Sequence, residues 1–179
     1  MRLFIAIELP KEVKDYLFSI KNNFNKNIAK VNWIAKKNIH LTLKFLGDID
    51  EKLAKEIVEK LGEIKLKKFE LELDELGFFP NENYIKIIWV GVKNPVKVME
   101  LQQDIDETLS KYFKKEREFS VHITIGRVKF IKNKKEFLDI IKKSRVEKLK
   151  FNVESFGLFS SELSKDGPRY RTISAFSKV

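Results

Sequence analysis

The sequence predicts an α+β fold of two pseudo-symmetric lobes, and three observations carry that expectation. Strand and helix patterns alternate along all 179 residues, with no Pro-, Gly- or Ser-rich linker between them. An offset of 82 residues, the spacing of His40 and His122, lays like elements on like. It carries Leu3 to Ile85, Lys52 to Lys134 and Lys68 to Lys150. Hydrophobic residues make up 43% of the chain and include fifteen Phe, enough to fill one compact core. The whole span 1–179 is therefore expected to be a single two-lobed domain with an internal repeat of architecture.

The elements follow in order. Residues 2–8 alternate as a strand, and Val13, Tyr16, Leu17, Ile20, Phe24 and Ile28 have the spacing of a helix. A strand over 39–46 precedes a second helix marked by Leu53, Ile57 and Leu61. Phe69, Leu71 and Leu73 then alternate with acidic residues, as in a half-exposed strand. The second half repeats the series. Residues 84–92 are strand-like, and Asn94-Pro95 is a helix start with Asn as cap and Pro in the first turn. Val98, Leu101, Ile105, Leu109 and Tyr112 share the next helical face. Strand patterns at 119–130, 148–158 and 169–176, with a helix around Phe137, Ile140 and Ile141, complete the chain.

Composition excludes several classes. No apolar run approaches the ~20 residues of a membrane span, and the first ten residues lack the form of a signal peptide, so a cytoplasmic protein is expected. Without cysteine there is no disulfide, thiolate metal site or thiol nucleophile. Abundant Lys, Glu and Ile fit a heat-adapted protein. The net charge of +10 and a pI near 9.6 suit a polyanionic partner, and they also suit a Lys-rich solvated surface.

The two histidines are the sharpest signal. Both lie in alternating apolar strands as His-x-Thr: Ile39-His40-Leu41-Thr42-Leu43 and Val121-His122-Ile123-Thr124-Ile125. Alternation sends the aliphatic residues to one face and His/Thr to the other. With four threonines in the chain, chance would place Thr two residues after both histidines roughly once in two thousand sequences. Two imidazoles facing one phosphodiester would supply a base for the nucleophile and an acid for the leaving oxygen, and the residues alone do not say which does which. The threonine hydroxyls would hold the non-bridging oxygens. Two histidines make too few ligands for a metal site, and no acidic residue recurs beside them, so no metal or cofactor is expected.

Other candidates rest on position. Lys44 shares face parity with His40 and Thr42 and could reach the phosphate. Arg127 has the opposite parity to His122 but sits toward the strand end. Phe45 is the nearest aromatic for stacking a base, although its parity places it with the core. Phe79 and Tyr170 lie in turn-rich stretches and could take either role.

At these residues the chain resembles the RNA 2′,3′-cyclic phosphodiesterase (2′-5′ RNA ligase) family of the two-histidine phosphoesterase superfamily. The similarity runs through Arg2-Leu3-Phe4-Ile5-Ala6-Ile7, Trp33, His40 to Gly47, Gly77-Phe78-Phe79-Pro80-Asn81, Trp89-Val90-Gly91-Val92 and His122 to Val128. It continues into Ser161, Leu163, Gly167-Pro168 and Tyr170. It implies two antiparallel sheets with helices on their outer faces and a cleft between the sheets. It also implies opening of an RNA 2′,3′-cyclic phosphate to a 2′-phosphate without metal. His40 would be the proton donor, His122 the proton acceptor, and Thr42 and Thr124 phosphate ligands. Joining of tRNA halves through a 2′-5′ linkage is the related ligation. Because the internal repeat already supplies both histidine strands, a monomer is expected. Two departures stand out: Val121 occupies a position that is often Pro, and Asn83-Tyr84-Ile85 is followed by a single basic residue, Lys86. From other classes, a non-catalytic basic RNA-binding domain and a cyclic phosphodiesterase of small nucleotides remain alternatives.

Overall fold

The structure, a computed structural model, describes residues 1–165 and 167–177. Its strands are β1 (Arg2–Glu8), β2 (Ala29–Trp33), β3 (His40–Asp48), β4 (Phe69–Asn81), β5 (Tyr84–Lys93), β6 (Ile123–Ile131), β7 (Lys150–Val153), β8 (Ser155–Ser164) and β9 (Gly167–Ser177). They form two wholly antiparallel sheets, one in the order β3-β1-β8-β9 and the other β2-β6-β5-β4-β7. The α+β class and the two sheets agree with the sequence reading.

Four helices carry apolar stripes into the core: α1 (Lys11–Ser19), α2 (Glu51–Gly62), α3 (Val96–Thr108) and α4 (Lys134–Lys143). Ala54, Ile57 and Leu61 are buried on α2, and Phe137 and Ile141 on α4, as their helical spacing requires. Both helices are capped from the sequence: Asp50 accepts from the Leu53 amide and Asn133 from the Glu136 amide. Among the described residues no helix is long and apolar enough to cross a membrane.

Several boundaries differ from expectation. The first helix stops at Ser19 and passes through a 3₁₀ turn at Ile20–Asn23, short of Phe24 and Ile28. The Asn25 side chain accepts from the Asn27 amide, a local bond that competes with helix. Beyond them lies an unexpected strand, β2. Asn94 is not a helix cap but stands in the left-handed region at φ 54°, and α3 begins after Pro95. Tyr112 falls beyond the end of α3. The stretch 148–158 is not one strand: Glu154 separates β7 from β8, which belong to different sheets.

The lobes are not the sequence halves. β4 leaves the first half and pairs with β5 of the second through a two-residue turn, where the Asn81 side chain accepts from the Asn83 and Tyr84 amides. β8 leaves the second half and pairs with β1 of the first. β2 crosses with β4, and β9 follows β8, so each half gives two strands to the other's sheet.

Candidate active site

The site is built where β3 and β6 approach each other. His40 opens β3 opposite Glu8, and His122 stands one residue before β6, so the strand expected from residue 119 starts four residues later. Both imidazoles are held by one device. His40 Nδ1 donates to the Asn38 carbonyl at 2.6 Å, and His122 Nδ1 donates to the Ser120 carbonyl at 2.8 Å, in each case two residues back. A protonated Nδ1 turned to the backbone leaves Nε2 as the atom for proton transfer. His40 Nε2 lies 2.9 Å from Thr42 Oγ1. Each ring is also met by the edge of an aromatic: Tyr170 at 5.4 Å from His40 and Phe79 at 5.0 Å from His122.

His40, Thr42, His122 and Thr124 line a single cleft of about 780 Å³, together with Phe79, Arg127 and Tyr170. Both histidines open onto this cleft. Burial lowers the His40 pKa, against the opposing pull of the Asn38 carbonyl, and so favours the neutral ring. Burial also raises the pKa of Tyr170, and the guanidinium of Arg127, reaching it from the other sheet, counters that shift.

A bulge follows the His-x-Thr motif in both sheets. Ala6 pairs with Thr42 and Ile5 with Lys44, which leaves Leu43 unmatched; Trp89 pairs with Thr124 and Ile88 with Gly126, which leaves Ile125 unmatched. One extra residue reverses the alternation beyond it. From 40 to 46 and from 122 to 128 the burial pattern is then identical, with two buried neighbours in a row followed by an exposed residue at 45 or 127. The expectation of Phe45 in the core is therefore overturned. It is 68% exposed and lines the cleft. Arg127, expected on the wrong face, is turned by the same irregularity to the side of Thr124.

Beyond the bulge Lys44 still borders the cleft, but its ammonium is engaged by buried partners. Lys44 is 3% exposed; its Nζ donates to Asp106 Oδ1 at 2.5 Å and to the Lys114 carbonyl at 2.9 Å. Asp106 Oδ2 accepts from Gln102 Nε2 and from the Glu116 amide. Burial pushes the Asp106 carboxyl up, but the bonds from Lys44, Glu116 and Gln102 outweigh it and hold the group below its ordinary value. This network ties the first histidine strand to α3 and to the segment that leads into Ser120 and His122. Sequence reasoning missed it, although Gln102 and Asp106 break the apolar stripe of α3 four residues apart. Asn38, Ser120 and the cleft residues Arg2 and Phe4 were missed too. Among the described residues no three His, Asp or Glu side chains gather as metal ligands.

Comparison with known proteins agrees with this geometry. The model of a family described as LigT-like phosphoesterase matches the chain twice, over residues 7–89 and 90–170, each copy taking in one His-x-Thr. The chain is 41% identical to the RNA 2′,3′-cyclic phosphodiesterase of Methanocaldococcus jannaschii over 97% of its own length and 98% of that protein. It is 32% identical to the protein of the same name from Methanothermobacter thermautotrophicus, with 98% of each chain covered. Among solved structures, TT0787 of Thermus thermophilus superimposes with a TM-score of 0.80 at 26% identity, covering 99% of this chain and 97% of that one. Escherichia coli LigT complexed with 3′-AMP shares the fold, with a TM-score of 0.78 at 23% identity and the same coverage.

Proposed function

Since the chain belongs to the LigT-like phosphoesterase family of the two-histidine superfamily, we propose that it is an RNA 2′,3′-cyclic phosphodiesterase whose acid and base are His40 and His122. The observation that carries this reading is the meeting of two identically tethered His-x-Thr units in one cleft. In the reaction, His122 Nε2 takes a proton from water as its oxygen attacks phosphorus. The bond from phosphorus to the 3′ oxygen breaks opposite, and His40 Nε2–H delivers a proton to that oxygen. The product is a 2′-phosphomonoester with a free 3′-hydroxyl. Both proton roles are met by imidazole, so the proposed reaction needs no metal. The Thr42 and Thr124 hydroxyls donate to the non-bridging oxygens and stabilise charge that builds there.

The lowered pKa of His40 fits the donor role once substrate is bound, because an anionic phosphate at Nε2 favours the charged ring that burial disfavours. If an RNA 5′-hydroxyl replaces water, the same steps give a 2′-5′ linkage, and tRNA halves have the ends this requires. A cytoplasmic monomer, with 1–179 as one two-lobed domain, belongs to the same proposal; the twofold family match supports the repeat.

The test is incubation with a 2′,3′-cyclic-phosphate oligoribonucleotide in the presence of chelator, with the product end identified. A 2′-phosphate is expected. A 3′-phosphate would reverse the leaving group, and activity abolished by chelator would make the reaction metal-dependent.

A further inference from the structure

A second cavity, of about 300 Å³, adjoins the cleft on the outer flank of His40. The two share Phe4, Asn38, His40 and Tyr170, which form the wall between them. That wall is braced: Asn38 accepts from His40 through its carbonyl and donates through Nδ2 to the Pro168 carbonyl at 2.8 Å. Phe4 and Phe159 stack at 5.5 Å as an apolar floor beside Ile39. Lys14, Lys37, Arg169 and Arg171 line the cavity, with Glu8 as its one acid. Lys14 bonds Glu8 at 3.1 Å and so matches that charge. Arg171 lies 3.6 Å from Glu162, an exposed contact that solvent keeps weak. Lys37 and Arg171 thus make the cavity cationic, with aromatic walls, and it opens beside the proposed proton donor.

We propose that this cavity is a second nucleotide subsite, which takes the internucleotide phosphate and the base on the 5′ side of the cyclic-phosphate nucleotide. The inference rests on the function proposed above. If His40 protonates the departing 3′ oxygen, the ribose carrying that oxygen lies on His40's side of the phosphorus. The strand then leaves that ribose through its 5′ carbon, toward the flank where this cavity begins. A phosphate there meets Lys37 and Arg171, and a base meets the face of Phe159. Cationic side chains beside a partly exposed ring suit single-stranded nucleic acid, without reading its sequence. The volume sits at the lower end of the range for small-ligand sites, the size of one residue of a strand and not of a duplex.

The experiment compares wild type with a Lys37→Ala/Arg171→Ala variant on two substrates: a 2′,3′-cyclic mononucleotide and a trinucleotide ending in a 2′,3′-cyclic phosphate. Both residues are exposed, so folding should be unaffected, and mononucleotide turnover reports it. On the trinucleotide the variant should lose about ten- to a hundredfold in kcat/KM, as two phosphate contacts vanish. The salt dependence of its trinucleotide KM should flatten by about 1.4 in log–log slope. On the mononucleotide the change should stay within about twofold, and Lys37→Arg with Arg171→Lys should restore trinucleotide activity. Equal losses on both substrates, or none on the trinucleotide, overturn the subsite while leaving the phosphodiesterase intact. Wild type inactive on both substrates sinks the chemical reading itself, and the subsite with it.

Discussion

Replacing Lys44 with Met should destabilise the fold by about 3–5 kcal/mol, the cost of stranding one partner of a buried ion pair. Met keeps the aliphatic stem and removes only the ammonium. Asp106, 5% exposed, then retains the Gln102 and Glu116 N–H groups but has lost the cation 2.5 Å away. For a chain of this size the loss lowers Tm by roughly 10 °C. Adding Asp106→Asn should recover much of it, since a neutral amide still accepts from Glu116 and leaves no buried charge. Acid should narrow the gap between wild type and Lys44→Met. The wild-type Asp106 pKa is held below its ordinary value, so the pair's contribution is present above about pH 4 and fades as pH falls through the folded pKa. Urea unfolding measures both variants. A single variant within about 1 kcal/mol of wild type, or a double variant no more stable than the single, refutes the reasoning. Because Lys114 and Glu116 share this network, the variant should also lower kcat more than it raises KM.

Other outcomes follow from the same geometry. His40→Ala or His122→Ala should each cost about a hundred- to ten-thousandfold in kcat, as expected for loss of a general acid or base, with RNA binding retained in a filter assay. Thr42→Val should lower kcat by about a hundredfold through loss of a donor to the phosphate, with little change in Tm. Phe45→Ala should change stability by less than about 0.5 kcal/mol in urea unfolding, whereas Leu43→Ala, at 1% exposure, should cost about 2–5. In NMR titration of the free protein the His40 ring should protonate below its ordinary midpoint of about 6.5, and added inorganic phosphate should move that midpoint upward. Because the folded ring favours the neutral form, its contribution to stability is present above about pH 6.5 and fades as pH falls through the folded value.

The histidine faces were readable because alternation is strict from residue 39 to 43 and from 121 to 125, and strict alternation has one structural meaning. Reading stopped at the bulges. Leu43-Lys44-Phe45-Leu46 continues to look like an alternating strand, and nothing in side-chain chemistry marks the residue that drops out of register. Phe45 was accordingly assigned to the core and Arg127 to the wrong side of its strand, and the buried partners of Lys44 went unseen. The 82-residue offset found like elements but could not reveal strand exchange, since pairing partners depend on where the Asn81–Tyr84 turn sends the chain. The charged contacts of α3 were hidden for another reason: a polar pair on an apolar stripe announces a buried partner without naming it.

The exchange of β4 and β8 between halves links folding to chemistry. Neither half alone closes a sheet, and each holds only one imidazole. The pairing that satisfies the open backbone edges is also the one that brings the second ring across from the first. The strands that complete the two sheets therefore also join the halves that carry the two imidazoles.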